Sequence, residues 1–234
     1  MGKTPERRTQ PFSSILALAA PVMLGYVAIG LPSGILESKI GMSPLMALVL
    51  SASFYTGSGQ FMLSNLLMAG VPAPSAIASI TFVNTRQLLY SASFAPFFDG
   101  VGRLCTFLFS ATVTDETFAL NLLRLSDDEQ EWGAWDAFLL NVTCMSSWAL
   151  SNCVGALVGG VLNIPVAIAS FAMTSIFVCL LVTQSHSRPT LVCSLFAALG
   201  VVACKLVGLS SPAILLGALA GIVAGTLAGE VGGR

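Results

Sequence analysis

The chain has 234 residues, of which 55% are hydrophobic and 9% are charged. A soluble domain carries about 25% charged residues, so this composition excludes an ordinary water-soluble globule and indicates a protein embedded in a lipid bilayer. The formal net charge of −1 offers no basic surface, which excludes nucleic acid as a partner.

Neutral stretches between the charged residues predict eight membrane-spanning helices, because a span needs about 20 mostly apolar residues. The predicted spans are 13–32, 43–70, 74–98, 103–124, 137–160, 165–184, 190–208 and 211–229. The last two are short, and a count of seven is the alternative. Since helices satisfy their own backbone groups in lipid, we predict an all-α polytopic membrane protein. Residues 1–12 form a cytoplasmic segment in this prediction, and 13–234 form a single transmembrane domain.

Basic residues predict the orientation of the chain. The stretch before Ala17 is too short for the apolar region of a cleaved signal peptide, so we predict a retained first span. A cytoplasmic N-terminus places six Lys and Arg residues at inner ends of spans, Lys3, Arg7 and Arg8 among them, against three at outer ends. We therefore predict a multi-pass protein of the cytoplasmic membrane with its N-terminus inside. The acidic loop at 127–131 is then a solvated cytoplasmic connector, with docking of a partner as the alternative.

The sequence lacks the usual residues of metal sites and of hydrolases. No two of its six cysteines have C-x-x-C spacing, and its single histidine is His186, so we expect neither a metal site nor a cofactor. It has no phosphate-binding loop and does not hydrolyse ATP itself. An intramembrane serine protease using Ser58 would need a base at membrane depth, whereas His186 lies in a polar loop. We therefore predict that the chain is not an enzyme.

Two patterns concern packing and symmetry. Glycines four residues apart predict close helix contacts; they are Gly155 and Gly159 in span five, and Gly217, Gly221, Gly225 and Gly229 in span eight. The segment at 74–79 recurs at 165–170, and the two copies open spans three and six. An offset of three spans inverts the topology, so the echo suggests an inverted repeat, with chance similarity as the alternative.

Three predicted spans carry polar or charged residues near their midpoints. These residues are Tyr55, Thr56, Ser58 and Gln60 in span two, Asn84 and Arg86 in span three, and Asp115 and Glu116 in span four. A charge at this depth costs at least about 2.5–3.5 kcal/mol, so partners or water are expected. Span two would measure about 42 Å as one helix, longer than the hydrocarbon core. It is either interrupted at Gly57-Ser58-Gly59 or a kinked structural helix.

The charged residues among these have alternative roles. Arg86 cannot lose its charge, so it forms either a fixed ion pair, for which Asp115 is a candidate, or an anchor for a substrate carboxylate. An acid in an apolar environment can carry a proton. Asp115 is therefore a candidate proton carrier or amine contact, with structural pairing as the alternative.

The motifs around these residues resemble the AzlC family of bacterial branched-chain amino acid exporters. They are Gly30-Leu31-Pro32-Ser33-Gly34, Gly41-Met42-Ser43-Pro44, Tyr55-Thr56-Gly57-Ser58-Gly59-Gln60-Phe61, Val83-Asn84-Thr85-Arg86, Leu89-Tyr90-Ser91-Ala92-Ser93-Phe94 followed by Pro96, and Thr114-Asp115-Glu116-Thr117-Phe118-Ala119. The resemblance covers roughly residues 25–120. Family members usually have His after the Arg of the N-x-R motif, where this chain has Gln87. Proton coupling here would then rest on Asp115 and Glu116.

The resemblance implies export of leucine, isoleucine, valine or their analogues, and a separately encoded small membrane subunit of the AzlD type. We predict a proton-coupled secondary transporter with its site at the midplane of spans two to four. The predicted substrate-binding residues are Tyr55, Ser58, Gln60, Asn84 and Arg86, and the predicted proton-coupling residues are Asp115 and Glu116. The alternative is a channel, or a permease subunit energised by an external ATPase.

Overall fold

A computed structural model describes residues 10–127, 132–162, 164–184, 188–208 and 213–232. These residues are all-helical, without any strand among them, as predicted. The helices are α1 Phe12–Lys39, α2 Pro44–Ser53, α3 Gly57–Met68, α4 Ala73–Asn84, α5 Arg86–Ser93, a 3-10 helix Ala95–Phe97, α6 Arg103–Thr112, α7 Asp115–Ser126, α8 Ala134–Val161, α9 Val166–Gln184, α10 Arg188–Leu206 and α11 Ala213–Gly232. Lys3, Arg7, Arg8, the loop residues 128–131 and His186 lie outside the described residues.

The described chain falls into two compact units. One contains the chain up to Gly70 together with Val83–Ala172, and the other contains Val71–Phe82 and the chain from Met173 onward. In the described part, α1, α8 and α10 are long and apolar enough to cross a membrane. The candidate functional residues all lie in the first unit.

Helices α1 and α8 pack side by side in the first unit and run parallel. Later residues of α1 contact later residues of α8. Ser147 Oγ donates to Met23 O at 3.0 Å, and Lys39 Nζ donates to Gly159 O at 3.3 Å. A Cβ added to Gly159 would collide with Ser38 Oγ, so the two helices touch through small residues. The predicted close contact at span five is therefore confirmed.

Each of the three predicted spans between α1 and α8 is divided into two helices. The second divides between Ser53 and Gly57, the third at Thr85, and the fourth between Thr112 and Asp115. Of the two alternatives for span two, the interruption is correct, but it falls just before Gly57. The Thr56 side chain accepts a hydrogen bond from Gly59 N at 3.4 Å, so the three residues from Gly57 form the first turn of α3.

In the second unit, α10 packs against α11 through glycines. A Cβ on Gly217 would lie 2.8 Å from Ala197 O, and a Cβ on Gly221 would lie 2.6 Å from Cys193 O. A Cβ on Gly225 would lie 2.8 Å from Cys193 Cβ, whereas a Cβ on Gly229 would make only ordinary contacts. The predicted glycine face is therefore confirmed over its first three positions.

Candidate functional site

Three helices begin at one place in the first unit: α3, α5 and α7. Arg86, the first residue of α5, connects their ends. Its Nη2 donates to Ser58 Oγ at 2.7 Å, and its Nη1 lies 2.8 Å from Asp115 Oδ2. The first turn of a helix leaves backbone N–H groups unpaired and carries partial positive charge, which favours anions. The junction therefore combines three helix N-termini with a guanidinium.

The ion pair at this junction is accessible. The side chains of Arg86 and Asp115 are 36% and 35% exposed, so a further group can approach the pair. The Arg86 Nε is buried and donates to none of the residues that the structure describes.

Asn84 contacts the same helix end as Arg86 from the other side of the break in the third span. Thr56 Oγ1 donates to Asn84 Oδ1 at 2.9 Å. A Cβ on Gly59 would approach Asn84 Nδ2 to 2.8 Å, so the close fit needs glycine there. Gln87, the residue after Arg86, donates from Nε2 to Tyr55 O at 3.5 Å. Asn84 and Gln87 therefore hold α5 against the start of α3.

Glu116 has a partner that the sequence did not single out. The hydroxyl of Tyr26 on α1 donates to Glu116 Oε2 at 2.8 Å and is also 2.8 Å from Thr114 Oγ1. Tyr26 is buried, and its ring packs edge-on against Tyr55 and Trp148. The sequence signal was a hydroxyl among apolar residues in the second half of the first predicted span.

Gln60 lies in a separate network, away from Arg86. It accepts a hydrogen bond from Trp148 Nε1 and donates from Nε2 to Ser51 Oγ at 3.0 Å. All three side chains are buried. Both ends of the Gln60 amide are therefore occupied, and this predicted site residue connects α2, α3 and α8.

Aromatic rings lie one helical turn beyond the ion pair. Tyr90 follows Arg86 on α5, and its ring stacks on Phe118 with centroids 4.7 Å apart. Phe118 also packs edge-on against Phe94 at 5.2 Å. A charged junction thus adjoins an apolar aromatic surface. Within the described residues, no cluster of His, Cys, Asp or Glu could hold a metal ion.

The site therefore joins some predicted residues and separates others. Arg86 directly contacts both Ser58 and Asp115. Asn84 borders them through Thr56, and Glu116 borders them through its position next to Asp115. Tyr55 supplies a backbone oxygen and a buried ring, whereas Gln60 is turned towards Trp148.

Comparison with known proteins assigns a family. Residues 21–162, more than half of the chain, match the family model described as AzlC protein. The inner membrane protein YgaZ of Escherichia coli (strain K12) is 26% identical over 212 residues, covering 88% of this chain and 84% of that protein. The branched-chain amino acid transport protein AzlC of Bacillus subtilis (strain 168) is 23% identical over 173 residues, covering 74% and 67%. An uncharacterized membrane protein of Helicobacter pylori (strain ATCC 700392 / 26695) is 31% identical over 172 residues, covering 72% and 73%.

No solved structure matches the chain. The family match covers the helices that build the junction. It confirms three predictions: the family, the membrane class and the non-enzymatic nature of the protein. The chain belongs to the AzlC family of membrane transport proteins.

Proposed function

We propose that this protein exports branched-chain amino acids across the cytoplasmic membrane in exchange for protons, and that substrate binds at the junction of α3, α5 and α7. The observation that carries the proposal is the accessible ion pair between Arg86 and Asp115 among three helix N-termini. An amino acid needs one site for its carboxylate and one for its ammonium group, and the two members of this pair offer both.

The carboxylate of the substrate would take the place that Asp115 now occupies on Arg86. Asp115 Oδ2 lies 2.8 Å from Nη1, which is the geometry expected for a charge-assisted hydrogen bond to a carboxylate. The neighbouring hydroxyl of Ser58 and the unpaired N–H groups at the start of α3 add further donors. Substrate and Asp115 would therefore compete for one guanidinium.

The released Asp115 carboxylate would then hold the ammonium group of the substrate. A proton and an ammonium group both neutralise a carboxylate, so they compete for Asp115. The substrate then leaves as the proton arrives, which is the exchange that export against a concentration gradient requires. Glu116, held by Tyr26, is the second acid that we propose for proton coupling.

The aliphatic side chain of the substrate would lie on the aromatic surface of Tyr90 and Phe118. Burying a Leu, Ile or Val side chain contributes roughly 1.5–3 kcal/mol relative to leaving it in water. Contact with this surface would therefore favour branched-chain substrates over alanine or glycine. We also propose a cytoplasmic N-terminus, a single multi-pass transport domain and a small AzlD-type membrane subunit as partner, the last on the family resemblance.

The test is efflux of leucine from cells loaded with a leucine-containing dipeptide, with and without a co-expressed small subunit. Replacing Arg86 by Ala removes a charge-assisted contact worth about 1.5–3 kcal/mol, so leucine efflux should fall by about tenfold or more. The matched control is Arg103→Ala, which removes the same charge from the exposed start of α6 and should leave efflux unchanged.

Two outcomes would contradict the proposal. Normal efflux by Arg86→Ala, at an amount of protein in the membrane equal to that of the wild type, would remove Arg86 from the site. Efflux that survives a protonophore but stops on depletion of ATP would instead favour a permease subunit driven by an external ATPase.

A further inference from the structure

A third acid, Glu37, is buried away from the junction. It lies on α1 two residues before the helix ends, and its exposed fraction is 0%. Neither of its carboxyl oxygens accepts a hydrogen bond from the part of the chain that the structure describes. The hydroxyl of Ser33, one turn earlier and also 0% exposed, faces the carboxyl at a geometry short of a hydrogen bond.

The helices packed against α1 bring no cation to this carboxyl. Helices α2 and α3 contain no titratable side chain at all. The titratable residues of α8 are Asp136, Cys144 and Cys153, and none of these side chains is a cation. Asp136 lies at the opposite end of the α1–α8 pair, where it accepts hydrogen bonds from Gln10 N and Gly133 N, both at 2.9 Å.

The two other charged groups that contact α1 are also engaged elsewhere. Lys39, the basic residue nearest in sequence, points its Nζ to Gly159 O. Glu116 hydrogen-bonds to Tyr26 of α1, about 16 Å along the helix from Glu37. Among the described residues, then, Glu37 has no ion pair.

A carboxylate that is buried without a cation or hydrogen-bond donors is strongly disfavoured, so the neutral acid is the stable form in this conformation. A fully buried acid also cannot exchange its proton with water. Loading and release of the proton therefore require a second conformation in which water reaches the carboxyl. Linking proton binding to a conformational change is what proton-driven transport needs.

We propose that Glu37 is a proton-binding site of the transport cycle, separate from the Arg86–Asp115 pair. It is neutral in the conformation described here and ionised in a conformation that opens it to water. Its place on α1 supports this role. One buried face of this helix leads from Tyr26, which contacts Glu116, towards the end of α1, and it consists of Tyr26, Gly30, Ser33 and Glu37. This inference rests on the proposed transport function.

The experiment compares two activities of the full chain in proteoliposomes, with its small subunit if one is required. The first is leucine exchange at equal pH on both sides, and the second is leucine movement driven by an imposed pH gradient. Glu37→Gln keeps the size and polarity of a neutral acid but cannot release a proton. Exchange should stay within about twofold of wild type, whereas gradient-driven movement should fall by about tenfold or more.

The control Asp99→Asn removes an acid from an exposed turn and should leave both activities unchanged. A purely structural role of Glu37 predicts that Gln serves as well as the acid, so wild-type gradient-driven movement in Glu37→Gln would overturn the inference alone. Absence of leucine exchange in the wild type would overturn the proposed function as well.

If Glu37→Gln does not accumulate in the membrane, Glu37→Asp decides the question. Asp retains a titratable group but moves it by one methylene, so the pH dependence of gradient-driven movement should shift relative to wild type. An unchanged pH dependence in Glu37→Asp would overturn the proposed role.

Discussion

The guanidinium of Arg86 holds two partners of different kinds: the neutral hydroxyl of Ser58 and the carboxylate of Asp115. Because the ion pair is about one third exposed, its Coulomb energy is partly screened, and exposed pairs typically contribute about 0–1 kcal/mol. A pair this weak can open during each cycle of transport. A fully buried pair would be much harder to separate.

This weakness can be measured with a double-mutant cycle on Arg86→Ala and Asp115→Ala. We expect a coupling of about 0.5–1 kcal/mol in the free energy of unfolding of the protein in detergent. Coupling above about 3 kcal/mol would indicate a fixed structural pair. Coupling indistinguishable from zero would show that the pair adds nothing to stability and would contradict the expected value. The pair Arg103→Ala and Asp99→Ala, in exposed positions, provides the background value for single-charge removals.

Residue types and depth were enough to predict Ser58, Arg86 and Asp115 as neighbours, because charges in lipid need partners. The direction in which the Gln60 side chain points was not predictable. In one continuous helix, Ser51 and Gln60 would lie on opposite faces, since nine residues turn the chain by about 900°. Their hydrogen bond exists only because the second span is interrupted between them. In the same way, the break at Thr85 lets Asn84 and Arg86 both contact the start of α3.

Tyr26, Trp148 and Glu37 escaped prediction for a different reason. The partners of Tyr26 and Trp148 come from segments far away in sequence, so the sequence around each residue does not indicate them. Glu37 lies beyond the end of the first predicted span, 13–32, where an acid is normally solvated. Only the packing of α8 along α1 shows that this end of the helix is enclosed.

At the scale of elements, each break in a span creates a helix start whose backbone N–H groups need hydrogen-bond acceptors. Threonines provide them at two of the three breaks. Thr56 caps α3, and at α7 the Thr117 hydroxyl accepts from Thr114 N at 2.9 Å in a capping box. Irregular backbone at membrane depth is tolerated where protein or a cavity surrounds it. The two caps therefore support the starts of α3 and α7, whereas Thr85 makes no side-chain cap at the start of α5.

The parallel contact of α1 and α8 depends on glycines and gives a prediction at this scale. A Cβ on Gly34 would collide with the backbone of Asn152, whereas a Cβ on Gly25 of the same helix has no atom within 4 Å in the described structure. Gly34→Leu should therefore force the helices apart and destabilise the fold by about 1–3 kcal/mol or more. Gly25→Leu should be tolerated.

Size-exclusion chromatography of both variants in detergent checks this expectation. Gly34→Leu should lose most of the monodisperse protein, and Gly25→Leu should retain it. Equal behaviour of the two variants would show that the α1–α8 contact is not close enough to require glycine.

At the scale of the whole chain, the parallel arrangement of α1 and α8 restricts how the first half can cross a membrane. Two parallel helices begin on the same side, so an odd number of crossings must separate them. The three divided spans satisfy this condition. With a cytoplasmic N-terminus, the exposed Trp135 at the start of α8 lies inside, and the exposed Leu162 just after its end lies outside.

Labelling with a membrane-impermeant maleimide tests this arrangement in a background whose native cysteines are replaced by alanine. Leu162→Cys should react in intact cells, whereas Trp135→Cys and Phe12→Cys should react only after the membrane is permeabilised. The reverse pattern would invert the orientation and leave the parallel pair intact. Reaction of Phe12→Cys and Trp135→Cys from opposite sides would contradict the pairing of α1 with α8, because parallel neighbours cannot begin on different faces of one bilayer.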